Sequence, residues 1–256
     1  MNYRLLFRLL AYIFFALSGA LGASLGVGAH YQEWTAQPQA VRGFAVSIGV
    51  ALGCGILLRL LGRKADIRFF KKEALALIGI SWILASLLGS LPYILILPDI
   101  HWADAVFEST SGFTTTGASV FTGFETWPRS LLFWRCLTQW IGGLGVVVFF
   151  VAILGSLGAS GKILFSNEST SSSSEIEAGR FQSGVLQILY YYVAITVLCI
   201  LAFHFFDLSW YDAVCHAFTT ISTGGFSTQS LSIDGFHNPP LECFSIFYNL
   251  LGTPIV

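Results

Sequence analysis

The sequence predicts an all-α membrane protein, and three observations carry this prediction. Hydrophobic residues make up 55% of the 256 residues and charged residues only 11%, against about 45–50% and about 25% in an ordinary soluble domain. Several apolar runs are long enough for a helix to cross a bilayer, which takes about 20 residues. A short motif, W-x-D-A-V, occurs twice, each time between two such runs. Together these features indicate a helical membrane protein with an internal repeat.

The apolar runs give the order of the predicted spans. Five runs are of full length, at residues 9–29, 41–61, 74–97, 131–154 and 185–206. A sixth begins near Leu241 and reaches Val256 after only about 16 residues, which is short for a span. The first run follows a basic flank but far exceeds the roughly 7–15 apolar residues of a signal peptide, so we expect it to be retained.

Basic residues predict the orientation of the chain in a bacterial inner membrane. Lys and Arg collect in short cytoplasmic loops, and the strongest basic cluster is RKADIRFFKK at residues 63–72. Placing the N-terminus in the cytoplasm keeps this cluster inside, whereas the opposite orientation would translocate it. The chain is therefore expected to be multi-pass with a cytoplasmic N-terminus. Segments 98–129 and 207–240 then lie on the periplasmic side.

An internal repeat sets the predicted domain organisation. WADAV at Trp102 recurs as WYDAV at Trp210, and each starts a segment too short to cross the membrane. A loop of small residues follows, FTTTGAS at 113–119 and ISTGGFST at 221–228, and then another apolar helix. The unit is a membrane helix, a re-entrant half-helix, a polar pore loop and a second membrane helix. We predict a leading transmembrane helix pair at 1–62, a first membrane-pore-membrane repeat at 63–157, a Ser-rich cytoplasmic linker at 158–180, and a second repeat, truncated at its C-terminus, at 181–256.

The composition of the two loops indicates a cation pathway. Non-helical backbone at membrane depth is tolerated where it lines a water-filled cavity, and rings of carbonyl oxygens can replace the hydration shell of potassium. Glycine permits the backbone angles that aligned carbonyls need, and Ser and Thr add hydroxyl oxygens without a fixed charge. The candidate ion-binding residues of a selectivity filter are Thr115, Thr116, Gly117 and Ala118 in the first loop and Ser222, Thr223, Gly224 and Gly225 in the second.

The half-helices, at 103–112 and 211–220, point their carbonyl ends toward the loops, each end carrying about half a negative charge. Asp104 and Asp212 fall in their first turns, where a carboxylate complements the helix dipole, so capping is expected rather than ion contact. Glu108 is expected to be a solvated charge. Arg135 lies inside a span, where an ionisable residue is costly. It is expected to snorkel or to pair with a carbonyl end or a carboxylate such as Glu108, with a role in the ion path as the alternative.

The phrases STSGFTTTGASV and TTISTGGFST, in tandem units, resemble the first and second pore loops of the Trk/Ktr/HKT superfamily of potassium transporters. GKILFSNES resembles the linker of the bacterial members, and the leading helix pair is similar to that of the TrkH branch. The resemblance reaches about Leu251 and corresponds to the N-terminal half of a translocation subunit. It implies potassium uptake through a filter built from four repeats with one glycine each. Gly117 and Gly224 carry over, and glycine at both positions implies potassium rather than sodium.

Only two of the four pore loops implied by the resemblance occur in this sequence. The family's gating loop and blocking arginine belong to the third and fourth repeats. We expect a truncated product or fragment, with assembly of two copies into a four-loop pore as the alternative. The resemblance also implies a homodimer and a cytoplasmic nucleotide-binding regulatory subunit. Potassium is the expected substrate, no cofactor is expected, and anionic membrane lipid is expected to contact the basic loop.

Other classes of function fit the sequence less well. Five histidines raise a haem or metal electron carrier as the runner-up: His30, His101, His204, His216 and His237. Haem-binding bundles usually place histidines on facing helices, whereas four of these lie at predicted membrane edges. An enzyme is not expected, because no Ser/His/Asp arrangement stands out. Nucleic-acid binding is not expected at a net charge of −1. The repeated loops argue against a non-transporting scaffold.

Overall fold

The computed structural model describes residues 2–63, 71–163, 173–236 and 239–252, and these ranges contain helices and loops without a strand. The α-helices are α1 (Tyr3–His30), α2 (Glu33–Ala36), α3 (Pro38–Leu61), α4 (Lys71–Gly89), α5 (Leu91–Ile96), α6 (Trp102–Phe113), α7 (Arg129–Ile163), α8 (Ser173–Phe205), α9 (Trp210–Ile221) and α10 (Pro239–Gly252). Two short 3-10 helices lie at Phe124–Thr126 and Ser232–Phe236. Most of the basic cluster, the centre of the Ser-rich linker and His237 lie outside the described residues.

Four stretches of helix in the described part of the chain are long and apolar enough to cross a membrane. They are Tyr3–His30, Pro38–Leu61, Ala76–Ile96 and Leu186–Phe205. Each coincides with an apolar run of the sequence, so the prediction of an all-α membrane protein is confirmed at this level. Helices α7 and α8 extend beyond their apolar runs, to Ile163 and from Ser173. Both ends of the segment predicted to be a Ser-rich linker are therefore helical.

The third span is broken at Ser90, between α4 and α5. Pro92 occupies the first turn of α5, where its missing N–H is tolerated. Trp134 of α7 donates its indole N–H to the carbonyl of Gly89 at 3.1 Å, so this helix end has a buried partner. A Cβ on Gly89 would lie 2.6 Å from both Phe113 and the Ser109 hydroxyl. The break thus lets the span approach α6 closely.

Two apolar cores place the polar loops between them. The first joins α1 and α3 to α7 through buried side chains such as Phe44, Tyr93 and Trp134. The second joins α8, α9 and α10. Trp140 of α7 packs against both cores, and its indole N–H donates to Thr196 of α8 at 3.1 Å. Helix α7 is therefore the element that connects the two halves around the loops.

Candidate functional site

Two short helices of 12 residues, α6 and α9, precede the polar loops. At 1.5 Å per residue each spans about 18 Å, well short of a bilayer core of about 30 Å. They begin at Trp102 and Trp210, 108 positions apart, so each starts one residue before the predicted half-helix. Both polar loops follow the C-terminal ends of these helices, where the partial negative charge of the helix dipole lies.

Side chains other than the two aspartates cap these helices. His101 accepts a hydrogen bond from the backbone N–H of Ala103 at 3.3 Å, and Ser209 accepts one from the N–H of Asp212 at 3.1 Å. Asp104 and Asp212 lie in the first turns, as predicted from sequence. Asp212 also accepts hydrogen bonds from the hydroxyl of Ser209, at 2.7 Å, and from a threonine of the second loop. The carboxylate of Asp212 thus links the start of α9 to the loop.

The backbone of the two loops follows the same path. Thr115 and Thr223 both adopt positive φ, at 55° and 54°, and Gly117 and Gly225 do so at 74° and 81°. Non-glycine residues rarely adopt such angles, so their recurrence at the same spacing indicates that the two loops share one conformation. Alternating left-handed residues give each loop its turn away from the preceding helix.

Hydrogen bonds back to the half-helices repeat with the same spacing. They are Thr115 N–H to Gly112 O at 3.0 Å, Thr223 N–H to Thr220 O at 3.1 Å, Thr116 N–H to Ser111 O at 3.0 Å, and Gly224 N–H to Thr219 O at 2.8 Å. In this register Gly117 corresponds to Gly225, and Gly224 corresponds to Thr116. The resemblance in sequence instead paired Gly117 with Gly224. The structure therefore offers a second alignment of the loop glycines, shifted by one residue.

The loop glycines serve different purposes. Gly117 has positive φ, and a Cβ there would overlap the carbonyl oxygen of Gly224, so the two loops meet at this point. A Cβ on Gly224 would overlap the side chain of Gln139. Gly225 has positive φ, but a Cβ there would meet nothing within 4 Å. A side chain at Gly117 or Gly224 would therefore lack space. A side chain at Gly117 or Gly225 would also have to adopt an unfavourable positive φ.

The other candidate filter residues differ in exposure. Thr116, Ala118, Thr223 and Gly225 are exposed, Thr115 and Gly117 are half-buried, and Ser222 and Gly224 are buried. The hydroxyl of Ser222 donates to the carbonyl of Phe218 at 2.8 Å. The carbonyl of Ala118 accepts from the Ser111 hydroxyl at 2.6 Å. These two groups are engaged by α9 and α6, respectively, and the hydroxyl of Thr116 lies 2.7 Å from that of Thr114.

Glu108 is buried, which corrects the expectation of a solvated charge. Its exposed fraction is 0% and that of Arg135 is 2%, and Nε of Arg135 lies 2.6 Å from a carboxylate oxygen of Glu108. The Ser119 hydroxyl donates to this carboxylate at 3.1 Å, and the N–H of Val120 does so at 3.4 Å. The pairing of Arg135 with Glu108, one of the sequence-based alternatives, is confirmed.

The same face of α7 also reaches the second loop. Arg135 donates from Nη1 to the carbonyl of Ser227 at 3.0 Å, and its guanidinium lies 3.8 Å from the ring centroid of Phe226. Gln139 donates to the carbonyl of Gly224 at 2.9 Å and accepts from the N–H of Phe226 at 3.1 Å. Sequence reasoning did not select Gln139. The available signal was a polar side chain in an apolar run, one turn after Arg135.

The family of the chain follows from comparison with known proteins. The family model described as "TrkH: Cation transport protein" matches residues 41–254. The chain belongs to this family. A Trk system potassium uptake protein TrkH of Halomonas elongata is 35% identical over 212 residues, covering 82% of this chain and 44% of that protein. The Escherichia coli K12 protein of the same name is 32% identical over 254 residues, covering 98% and 52%.

A solved TrkH structure has the same fold. The crystal structure of the potassium transporter TrkH from Vibrio parahaemolyticus matches with a TM-score of 0.82 at 28% sequence identity, covering 97% of this chain and 49% of that one. The chain spans about half the length of the curated relatives it matches. The superfamily inferred from the two loops is therefore confirmed.

The second loop of this chain has a different support behind it. His216 stands 108 positions after Glu108 and is buried, with an exposed fraction of 2%. Its Nε2 lies 3.3 Å from the Thr228 hydroxyl and 3.5 Å from the Ser227 hydroxyl. The Thr228 hydroxyl donates to Asp212 at 2.8 Å. Like Glu108 with Ser119, His216 thus ties its half-helix to the returning part of the loop.

The segments that follow the two loops also meet. The backbone N–H of Ser230 donates to the carboxylate of Glu125 at 2.7 Å. Hydrogen bonds from the side chain and backbone of Ser230 hold the pKa of Glu125 below its usual value. This carboxylate therefore stays charged beside the loops.

The described histidines have individual roles rather than a shared one. His101 caps α6, and His204 stacks on Trp210 with ring centroids 3.9 Å apart. His30 packs edge-on against Tyr31, with ring centroids 5.0 Å apart. Among the described residues, no group of three or more His, Cys, Asp or Glu side chains is placed to hold a metal ion. The runner-up interpretation as a haem or metal carrier has no further observation in its favour.

Proposed function

We propose that this chain contributes two selectivity-filter loops to a potassium-uptake pathway in the bacterial inner membrane. The observation that carries the proposal is the repeated backbone of the two loops, with equal φ at Thr115 and Thr223 and similar φ at Gly117 and Gly225. Relatives named potassium uptake proteins and a structural neighbour named a potassium transporter support potassium as the transported ion. Function is therefore assigned to transport rather than to an enzymatic reaction.

The loop chemistry suits a dehydrated monovalent cation. The exposed backbone around Thr116, Thr223 and Gly225 offers oxygens that can replace water around the ion. The C-terminal ends of α6 and α9 add partial negative charge without a fixed carboxylate at the site. Because Glu108 is paired with Arg135, that pair contributes little net field to the loops. The loops therefore favour a cation that can leave again, which transport requires.

The wider architecture forms part of the same proposal. α6 and α9 are taken as re-entrant half-helices inside tandem membrane-pore-membrane repeats, after the leading pair α1 and α3. The N-terminus is placed in the cytoplasm. A complete filter then needs two further loops, from further repeats or from a second copy. A homodimer, a nucleotide-binding regulatory subunit on the cytoplasmic side and lipid at the basic loop complete the expected assembly.

Growth at low potassium tests the proposal. A bacterium lacking potassium uptake is given this chain alone, or a chimera in which the chain replaces the matching half of Escherichia coli TrkH. We expect the chimera to restore growth and rubidium uptake. The chimera is first detected in the membrane fraction. Cells that contain it there but show neither growth at low potassium nor rubidium uptake would overturn the assignment to potassium transport.

Glycine substitutions test the filter itself. Gly117→Ser together with Gly224→Ser places side chains where the loops meet, so rescue should be lost. The matched control is Gly49→Ser together with Gly53→Ser on the exposed surface of α3, where a Cβ meets nothing within 4 Å. In the chimera, this control should rescue growth as well as the unmodified chimera does. Rescue that survives the Gly117 and Gly224 substitutions would contradict the filter assignment.

A further inference from the structure

One face of α7 carries polar side chains that reach across to the other repeat. Arg135 and Gln139 are four positions apart and so lie one turn apart on the same face of the helix. Both are buried. Helix α7 follows the first loop in sequence. These side chains nevertheless donate hydrogen bonds to backbone carbonyls of the second loop, which lie 92 and 85 residues further along the chain. The hydrogen bonds therefore join the two repeats.

Gln139 binds the second loop on both sides of its left-handed glycine. Its amide donates to the carbonyl of Gly224 and accepts from the N–H of Phe226, which flank Gly225. The side-chain amide therefore donates to one backbone carbonyl and accepts from one backbone N–H, as the backbone of a neighbouring β-strand would. The direction of the peptide groups on both sides of Gly225 is therefore set by one side chain of α7.

Arg135 connects the returning parts of both loops. Its Nε binds Glu108, which accepts from Ser119 of the first loop, and its Nη1 binds the carbonyl of Ser227 in the second. Ser119 and Ser227 are 108 positions apart and so are equivalent in the two loops. The planar guanidinium presents its donors in a fixed fork, which lysine cannot reproduce. A buried ion pair is weak evidence for stability but can specify one geometry.

We propose that Arg135 and Gln139 are positioning residues that fix the distance and orientation between the two loops and so set the discrimination of potassium from sodium. This inference rests on the proposed function. Neither side chain touches the ion. Each acts through backbone groups of the second loop, and Arg135 also acts through Glu108 on the first.

The test compares two substitutions that preserve size or charge with a matched control. Arg135→Lys keeps the positive charge beside Glu108 but cannot bind Glu108 and Ser227 together. Gln139→Met keeps the volume and loses both hydrogen bonds. The control, Thr196→Val, removes the partner of the Trp140 indole at a buried position, and among the described residues no hydrogen bond joins Thr196 to either loop.

We expect each test variant to lower the ratio of potassium to sodium uptake by the chimera by roughly five- to tenfold, the effect of about one hydrogen bond. Thr196→Val should leave the ratio unchanged at equal protein level. Amide hydrogen exchange of the chain alone in lipid nanodiscs gives a second measurement that needs no transport. Exchange of peptides covering residues 222–228 should accelerate in both test variants and not in the control.

The outcomes separate the two proposals. Absence of transport by the unmodified chimera contradicts the proposed function, while the exchange measurement still tests the positioning role. An unchanged uptake ratio in both variants, with transport intact, overturns the role in selectivity. Unchanged amide exchange of residues 222–228 overturns the proposal that these side chains position the second loop. This measurement also applies to a variant that is too unstable for uptake assays.

Discussion

The two polar loops share a backbone path but have different supports. Behind the first loop, Glu108 and Arg135 form a buried ion pair, and Ser119 binds the carboxylate. At the equivalent place behind the second loop, His216 lies near two hydroxyl groups at 3.3 and 3.5 Å. The same backbone path thus occurs with either support.

The difference predicts unequal tolerance of the two repeats to substitution. A buried charge that loses its partner costs several times more than a neutral hydrogen bond that is lost. The first repeat also supplies Arg135 and Gln139, which hold the second loop, whereas Tyr211 of the second repeat donates to the carbonyl of Arg129, at the start of α7, at 2.7 Å. Damage to the first repeat should therefore reach both loops.

The largest expected effect is that of Glu108→Gln, compared with His216→Gln. Glu108→Gln leaves the guanidinium of Arg135 buried without a counter-charge, so the free energy of unfolding should fall by about 3–5 kcal/mol. His216→Gln removes only long, neutral contacts and should cost about 1 kcal/mol. Denaturant titration of the chain in mixed micelles measures both.

A double variant separates charge from packing in this comparison. Glu108→Gln together with Arg135→Met leaves no unpaired charge and should recover part of the stability lost in Glu108→Gln. Equal losses for Glu108→Gln and His216→Gln, or a double variant less stable than Glu108→Gln, would show that the ion pair is not what distinguishes the two supports.

The second prediction compares the two left-handed glycines. Gly225→Ala adds a Cβ in open space at positive φ and should cost about 1–2 kcal/mol from backbone strain alone. Gly117→Ala has the same strain and also overlaps the carbonyl of Gly224, so we expect roughly twice that loss. The same titration provides the measurement. Similar losses at the two positions would mean that the loops do not meet closely at Gly117.

Sequence alone predicted most of the helices but not the contacts between the two predicted repeats. The apolar runs predicted five full-length spans, and four of them coincide with helices of the described residues that are long and apolar enough to cross a bilayer, because the length needed is a property of one segment. The motif at Trp102 and Trp210 located both half-helices for a similar reason. Glu108 was expected in solvent, although pairing with it was one of the alternatives for Arg135, 27 positions later, because no local pattern decides between the two.

The caps of the two short helices and the register of the loop glycines differ in how far a local pattern predicts them. Ser209 stands three positions before Asp212, the spacing of a capping box, and this pattern identifies the cap of α9. The cap of α6 by His101 has no such pattern. The register of the loop glycines depends on hydrogen bonds to the preceding helix, so the sequence match of Gly117 with Gly224 could not decide between two alignments one residue apart.

The smallest expected effect distinguishes the two aspartates of the half-helices. Asp212 accepts hydrogen bonds from Ser209 and Thr228 at 2.7 and 2.8 Å, whereas no described residue donates a hydrogen bond to the carboxylate of Asp104. Asp212→Ala should cost about 1 kcal/mol, and Asp104→Ala about 0.3–0.5 kcal/mol from the helix dipole alone.

Salt separates these two contributions. The dipole interaction of Asp104 is screened at high ionic strength, so the effect of Asp104→Ala should vanish in about 1 M salt. The loss in Asp212→Ala should persist there, because direct hydrogen bonds are screened far less. If both losses vanished, Asp212 would act only on the dipole, and the link from α9 through Thr228 to the second loop would not contribute to stability.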